Sequence, residues 1–470
     1  MKQKIFIGLI TYFLLFIFCT AVVSEIHAQP KEKDKRSKPN DKARKLLAEG
    51  NKLFAKKDYR AAINKYAEAI VISPSYPEAH YWKGYAHYYL NESNEAGEEL
   101  DLAFSQGYNA LAIYKIRWVV NYQRENYDAA LSDVDNGLLK EKNNFDFING
   151  RGEILVKKGS YKEAIEALNN SIKLNPNRGD LYYFLALSYS KTGDFNQQGI
   201  NAVEAVNKAT KFTGESYALL GDSKVLEKNP TAAMDAYKRA LNVKPDMPEE
   251  FYINVTQFYR AENRLGDAID IAREGLKLYP RSTPLLVGLT WYYSLADRHG
   301  EAVGAGRQAV KNAPDDAAAH TNLCRAYNDR LSYAQAVISC NNALKIKPND
   351  GETFFYLARA SKSLNKPALF ADYLKKAIAG LLVSTRDNPR DPDGFYLLAN
   401  AYYYDGQYKK AIEAYQESIN LSPNFMKANY NLGNAFFADN NLNAARMQYD
   451  KLLKLDLNYA NKLKQTLDGK

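Results

Sequence analysis

Cysteine is scarce in this chain, with three among 470 residues, and one of them, Cys19, lies in the opening apolar run. A framework of disulfides therefore does not hold the fold. Cys324 and Cys340 remain, and both fall in columns of a repeating pattern that face inward, which favours a pair of buried small residues over a bond. Histidine is equally scarce, with five. His80 and His87 stand two helical turns apart, too far for one metal ion, and no carboxylate stands at a supporting spacing. The chain has no nucleophile elbow, no phosphate loop and no metalloprotease helix. Pairs such as Glu98-Glu99 and Glu249-Glu250 read as solvated helix faces or helix starts. These absences point away from an enzyme, and neither a cofactor nor a metal is expected.

Positive charge is also lacking where a nucleic-acid surface would need it. Residues 29–45 hold eight basic against three acidic side chains and the first 28 hold two against one, so only +3 of the net +9 is left for residues 46–470. A nucleic-acid groove needs basic residues gathered on the folded surface, and the near balance of the body excludes that partner. Residues 29–42 read as a charged tether, a solubilising spacer with no apolar period.

The first 28 residues carry an address and stay outside the fold. Lys2 and Lys4 precede an apolar run from Ile5 to Val23, and Ile26-His27-Ala28 places a small residue before a cleavage point. The segment marks the chain for export to a periplasm or cell envelope, or for secretion. Its apolar run is long enough to leave two outcomes open: removal after Ala28, or retention as an inner-membrane anchor with the body outside the cytoplasm. Any contact with a membrane is expected through this segment alone. Cys19 does not read as a lipidated residue, because the large Phe18 stands before it. The form of the signal and the richness in Lys, Asn and Tyr point to a bacterial source.

What the chain has in quantity is a period. Residues 145–178 read as two short helices and a stop: Ile148, Ile154 and Leu155 mark one buried stripe, Gly159 breaks the helix, and Tyr161, Ala164, Ile165, Leu168, Ile172 and Leu174 mark a second stripe that Pro176 ends. The small Gly152 recurs about every thirty-four residues, as Gly50, Gly84, Ala186, Gly221, Thr256, Thr290, Cys324, Ala358, Ala399 and Gly433, with the bulky Trp118 as the exception. Ala164 recurs as Ala62, Ala96, Ala130, Ala233, Ala268, Ala302, Ala336, Ala411 and Ala445, with departures at Gln198 and Phe370. Helix stops return at Pro74, Pro176, Pro245, Pro280, Pro314, Pro348 and Pro423.

This unit resembles the tetratricopeptide repeat, which has this length, this helix-turn-helix form and these small columns. The resemblance implies an all-α fold, a right-handed superhelical solenoid of about twelve repeats starting near Ala43, Pro77, Leu111, Phe145, Gly179, Gly214, Glu249, Thr283, Ala317, Gly351, Pro392 and Met426. Repeats one to ten are expected over residues 43–384, an irregular joint over 385–391, repeats eleven and twelve over 392–459 and a capping segment over 460–470. The joint is expected because seven extra residues fall within 378–392, where the chain is free to bend. In such an array each unit packs on its neighbours only, and an elongated particle follows.

The resemblance also implies a function. In this family the first helix of each repeat lines a concave groove, and the residues facing it hold a partner. Carried onto this chain, the rule selects Tyr81, Trp82, Tyr85, Tyr88 and Tyr89 in the second repeat, Tyr183 and Leu187 in the fifth, Asn254 and Gln257 in the seventh and Trp291 in the eighth. It continues with Asn322 and Arg325, then Phe355 and Arg359, then Tyr396, Asn400, Tyr403 and Tyr404, and last Tyr430, Asn431 and Asn434. On the helix of Tyr81 to Tyr89 the inward columns are taken by His80, Gly84 and His87, so the rings are expected to face outward. Rings interleaved with Asn and Arg suit an extended protein or peptide, and the implied role is a non-catalytic scaffold that assembles complexes in the cell envelope. A glycan-handling scaffold, with rings stacked on sugars, is the alternative. Asn400, Lys427 and Asn431 echo the family's clamp for chaperone carboxylates, but Tyr396 replaces its first lysine and no further repeat completes it.

Overall fold

The computed structural model describes residues 38–208 and 210–469; the first 28 residues, with the address expected there, and most of the expected tether lie outside the described residues. Every regular element among the described residues is an α-helix. Repeats one to four comprise α1 (Asp41–Ala55) with α2 (Tyr59–Ile72), α3 (Pro77–Tyr89) with α4 (Ser93–Ser105), α5 (Leu111–Gln123) with α6 (Tyr127–Lys140), and α7 (Phe145–Lys158) with α8 (Tyr161–Leu174). Repeats five to eight comprise α9 (Gly179–Thr192) with α10 (Phe195–Asn207), α11 (Thr213–Leu226) with α12 (Pro230–Val243), α13 (Glu249–Ala261) with α14 (Leu265–Leu278), and α15 (Thr283–Leu295) with α16 (His299–Asn312). Repeats nine to twelve comprise α17 (Ala317–Asp329) with α18 (Tyr333–Ile346), α19 (Gly351–Ser363) with α20 (Pro367–Asp387), α21 (Pro392–Tyr404) with α22 (Tyr408–Leu421), and α23 (Met426–Ala438) with α24 (Leu442–Leu455). A single helix, α25 (Leu457–Leu467), follows and places Leu463 against Gly433.

The repeated columns do one job each. All ten alanines of the Ala164 column are fully buried, because the facing helix leaves no room for a longer side chain. A Cβ on Gly50 or Gly221 would come within 2.4 Å of Tyr66 or Tyr237, whose rings fill the space and whose hydroxyls reach Asn51 at 2.8 Å and Asp222 at 2.7 Å. Trp118 is accommodated by a second exchange: a Cβ on Gly150, in the next repeat, would come within 3.0 Å of its ring. The position three residues into the first helix answers the proline stops, since His80, Tyr182, Tyr252, His320 and Asn429 reach the carbonyl oxygens of Pro74, Pro176, Pro245, Pro314 and Pro423. His80 and His87 thus have structural partners, and the expectation that no carboxylate supports them fails: His80 Nδ1 meets Glu99 at 2.6 Å and His87 Nδ1 meets Glu92 at 2.7 Å. Each of the twelve turns within a repeat places one residue in the left-handed region, with φ between 55° and 84°, and only Gly159, Gly193 and Gly406 of these are glycine.

The chain divides into two units inside α7, one ending at Ile154 and the other beginning at Leu155. In the first, Leu100, Ile113, Val120, Val134, Phe147 and Ile154 form a core. In the second, one core runs without interruption from Ala233 to Ala435. Three expectations are corrected in the second unit. The extra residues near 385 continue α20 by about two turns, with Thr385 buried and bonded to the Leu381 carbonyl at 2.9 Å, so that only 388–391 is joint. Cys324 and Cys340 form a disulfide with their Cα atoms 5.3 Å apart, because α17 and α18 pack as closely as their small columns allow. Contacts also reach past nearest neighbours, since the coil brings repeats seven and eight against eleven and twelve. Arg260 pairs with Asp393 at 3.2 Å, Asn424 donates to Glu262 at 3.2 Å, and Lys427 donates to the Ser294 carbonyl at 3.1 Å and faces Asp297 at 3.5 Å.

Candidate functional site

In the second unit the residue that follows the small column on each first helix lies on the inner face of the coil. From repeat seven onward these residues are Gln257, Trp291, Arg325, Arg359, Asn400 and Asn434. All but Gln257 line one chamber of about 360 Å³. Phe355, Tyr396 and Tyr430 stand one helical turn earlier than Arg359, Asn400 and Asn434 and line the same space, as do Tyr403, Tyr404 and Asn431. The structure therefore gathers every second-unit residue from Trp291 to Asn434 that is named above as facing the groove, Asn322 apart. Asn322 and Gln257 instead line an adjoining open groove of about 1440 Å³, whose floor includes Ile253, Val287, Gly288 and Leu397; Trp291, Arg325 and Leu397 border both spaces.

The chamber is built by pairwise constraint. Arg325 is only 5 % exposed, its guanidinium lies 3.6 Å from the Trp291 ring centre, and it faces Glu352 at 3.5 Å and bonds Asn322. Arg359 donates twice to Asp329, at 3.2 Å each. Asn400 accepts from the Tyr415 hydroxyl at 2.6 Å and from Asn431 at 2.9 Å. Rings meet at the walls, Tyr396 with Phe425 at 4.8 Å and Phe355 with Tyr404 at 5.9 Å. Burial pushes the Glu352 carboxyl up to about 7 against the pull of Arg325, and it lowers the Lys427 ammonium despite Asp297. The residues that echo the chaperone clamp are thus engaged inside the coil: Lys427 ties repeat twelve to repeat eight, and Asn431 ties it to repeat eleven.

Several lining residues were not legible from the groove rule. Tyr415 sits in the column of Leu168, which reads as core, Asp329 is the last residue of α17, and Tyr459 and Lys462 come from the cap. The column following the small one was visible in the sequence and would have found five of the lining residues at once.

The first unit treats its aromatic helix differently. Tyr81 is 5 % exposed and stacks on Tyr108 at 4.7 Å, so the expectation that it faces outward is corrected: α4 and α5 close over it. Trp82 and Tyr85 pack on Phe54 at 5.4 and 5.3 Å and are half-buried, as is Tyr88; Tyr89 stacks on Tyr59 at 4.9 Å and is 45 % exposed. Of the other expected residues, Tyr183 stacks on Phe212 at 4.4 Å and Asn254 is exposed. Among the described residues no three His, Cys, Asp or Glu side chains are placed to share a metal ion, and no helix is long and apolar enough to cross a membrane.

Family models recognise the repeated unit. A family model described as TPR repeat matches residues 50–91, 152–193 and 399–440, and one described as tetratricopeptide repeat matches residues 214–247. The chain is 27 % identical over 164 residues to small glutamine-rich tetratricopeptide repeat-containing protein 2 of Mycosarcoma maydis, a match that covers 35 % of this chain and 37 % of that relative. It thus spans little more than a third of the length of the curated relative it matches. Among solved structures it is similar to yeast Tom70, with 14 % identity, a TM-score of 0.38 and coverage of 91 % and 95 % of the two chains. It is also similar to a tetratricopeptide repeat protein of Parabacteroides merdae, with 13 % identity, a TM-score of 0.40 and coverage of 54 % and 99 %. Twelve helix pairs in register, with their buried columns and the matches to both family models, make this chain a member of the tetratricopeptide repeat family.

Proposed function

We propose that the protein is a non-catalytic scaffold of a bacterial cell envelope that holds an extended segment of a partner protein along the inner face of repeats seven to eleven. The scaffold role follows from the family, whose repeats mediate contacts between proteins; the setting follows from the reading of the first 28 residues as an export signal. The observation that carries the binding mode is the open groove of about 1440 Å³, whose apolar floor at Ile253, Val287 and Leu397 is flanked by the amides of Gln257 and Asn322. Apolar floor supplies area, and amides can bond a peptide backbone without reading its side chains.

The test places a photo-crosslinking residue at Gln257 or Asn322 and, as control, at Ile338 on the second helix of repeat nine. Exposure of cells and fractionation of the envelope should yield one defined polypeptide adduct from the groove positions and none from Ile338. Label equal at all three positions, or adducts that a protease leaves intact and a glycosidase removes, would replace the protein partner with non-specific capture or with the glycan alternative. Recovery of the protein in the cytosolic fraction would remove the envelope setting while leaving the groove reading in place.

A further inference from the structure

The chamber beside the groove holds more positive charge and more hydrogen-bond donors than its own walls neutralise. Arg325, Arg359, Lys427 and Lys462 line it against the single carboxylate of Asp329. Asp329 is engaged by Arg359, and Asp297 at the rim is shared by Lys427 at 3.5 Å and Lys462 at 3.7 Å. Arg325 faces Glu352 at 3.5 Å, and burial pushes the carboxyl of Glu352 up to about 7, which weakens it as a counter-charge. The buried guanidinium also keeps one donor unused, since among the described residues Arg325 Nε has no hydrogen-bond partner, and neither does the Asn434 Oδ1 of the same chamber. A buried donor or acceptor left unpaired loses the hydrogen bond it would make in water, and a fitting ligand would restore it. The volume of about 360 Å³ is in the range of pockets that take small molecules and is too small for a folded partner.

We propose that this chamber is a binding site for a small ring-bearing carboxylate, with the carboxylate received at Arg325 and Arg359, the ring set among the tyrosine rings, and Asn434 accepting from a donor on its far side. Two cations at one end select the anion. Flat rings around the remaining wall select a body with faces and leave little for a simple ion such as phosphate. This site does not require a protein in the open groove. Because Trp291 and Arg325 border both spaces, a ligand in the chamber would also stiffen one wall of the groove.

Two kinds of ring fit this chemistry, an aromatic acid and a sugar acid, and the experiment separates them. The full chain is titrated by calorimetry with 4-hydroxybenzoate and with glucuronate, each beside its neutral counterpart, 4-hydroxybenzyl alcohol or glucose, and with inorganic phosphate. At least one of the two acids should bind saturably with one site per chain. Its neutral counterpart and phosphate should bind at least tenfold more weakly. Arg325→Gln should weaken the acid at least tenfold. Arg359→Gln, at a more open position, should weaken it several-fold and serves if Arg325→Gln does not fold. The tryptophan emission change on binding should vanish in Trp291→Phe. Absence of saturable binding by both acids up to millimolar concentration, a neutral counterpart that binds as well as its acid, or unchanged affinity in a folded Arg325 or Arg359 variant would each overturn the assignment.

Discussion

On α3 of the first unit, five aromatic residues share one helix, and their rings meet one another and those of Phe54, Tyr59 and Tyr108. Around the chamber of the second unit, seven tyrosines are drawn from four helices and the cap, and Arg, Lys and Asn side chains stand between them. The residue type is the same; the spacing along the chain differs. Rings crowded within thirteen residues are close enough to satisfy each other, so they pack and close. Rings spread over several repeats are carried around a curved wall, where polar side chains stand between them and a space is left among them. In this array, aromatic density along one helix marks a core, and aromatic recurrence down a column beside charged residues marks the wall of a chamber.

The largest effect should separate these two uses of tyrosine directly. Tyr81→Ser empties a buried ring position and should cost about 3 kcal/mol or more in chemical denaturation, whereas Tyr404→Ser, at 37 % exposure on the chamber rim, should cost about 1 kcal/mol or less. Equal costs would mean that the first cluster is a surface after all. Next in size is the disulfide, which ties the second unit alone among the described residues. Its closed loop spans a sequence separation of 16, and loss of such a constraint costs about 3 kcal/mol in the chain-entropy picture. Reduction, or the paired change of Cys324 and Cys340 to Ala, should raise hydrogen exchange in repeats eight to ten and leave repeats one to three as they were. Uniform loss of protection along the chain would contradict a division into two units.

The sequence carried the fold almost entirely because a repeat states its own boundaries many times. The small columns at Gly50 and Ala62, once aligned over the chain, placed the start of every first helix within two residues of where it lies. What it did not carry were contacts between repeats far apart in number. Nothing in Arg260 or Asp393 announces a pair across 133 residues, since that pairing depends on how tightly the coil winds, a sum of small rotations that no single repeat encodes. The disulfide was missed for a related reason: inward-facing small residues suit a bonded and an unbonded pair equally well, and only the backbone distance decides. The site was half legible, because the column after the small one is visible in the sequence while the closing of the coil that turns it into a chamber is not.

Smaller effects should test that closing. Lys427→Met removes the ties to Ser294 and Asp297 and should cost about 1 to 2 kcal/mol, with faster exchange at the end of α15 as well as in α23. In the first unit, Arg60→Ala breaks the exposed pair with Glu92 in the next repeat and should leave stability almost unchanged, with any effect confined to those two repeats. Glu352 adds a pH dependence. Its folded carboxyl titrates near 7, above the ordinary range, so between about pH 4.5 and 7 the folded chain keeps a proton that the unfolded chain has released. Stability from this group therefore falls as pH rises through that window and is level above it. Glu352→Gln should flatten this part of the profile of melting temperature against pH; an unchanged slope would place the carboxyl in an ordinary, solvated setting.

The smallest effect concerns the turns, which both units share. Glu125 in the first unit and Leu331 in the second hold left-handed backbone at φ 58° and 62°, and Leu331 is 70 % exposed, so little in its side chain offsets the strain. Glycine removes the clash of Cβ with the following carbonyl but adds freedom to the unfolded chain, and the two terms leave a net gain of about 0.5 kcal/mol. Glu125→Gly and Leu331→Gly should therefore each raise stability slightly and by similar amounts. Asp297 occupies the same turn position at φ 57°, yet its carboxylate receives Lys427 and Lys462 from the far side of the coil. Asp297→Gly relieves the same strain and loses both ties, so it should lower stability where the other two raise it. If all three glycine variants gained alike, the cross-coil pairs would be worth less than one strained residue, and the enclosure of the chamber would have to rest on the packing of its rings.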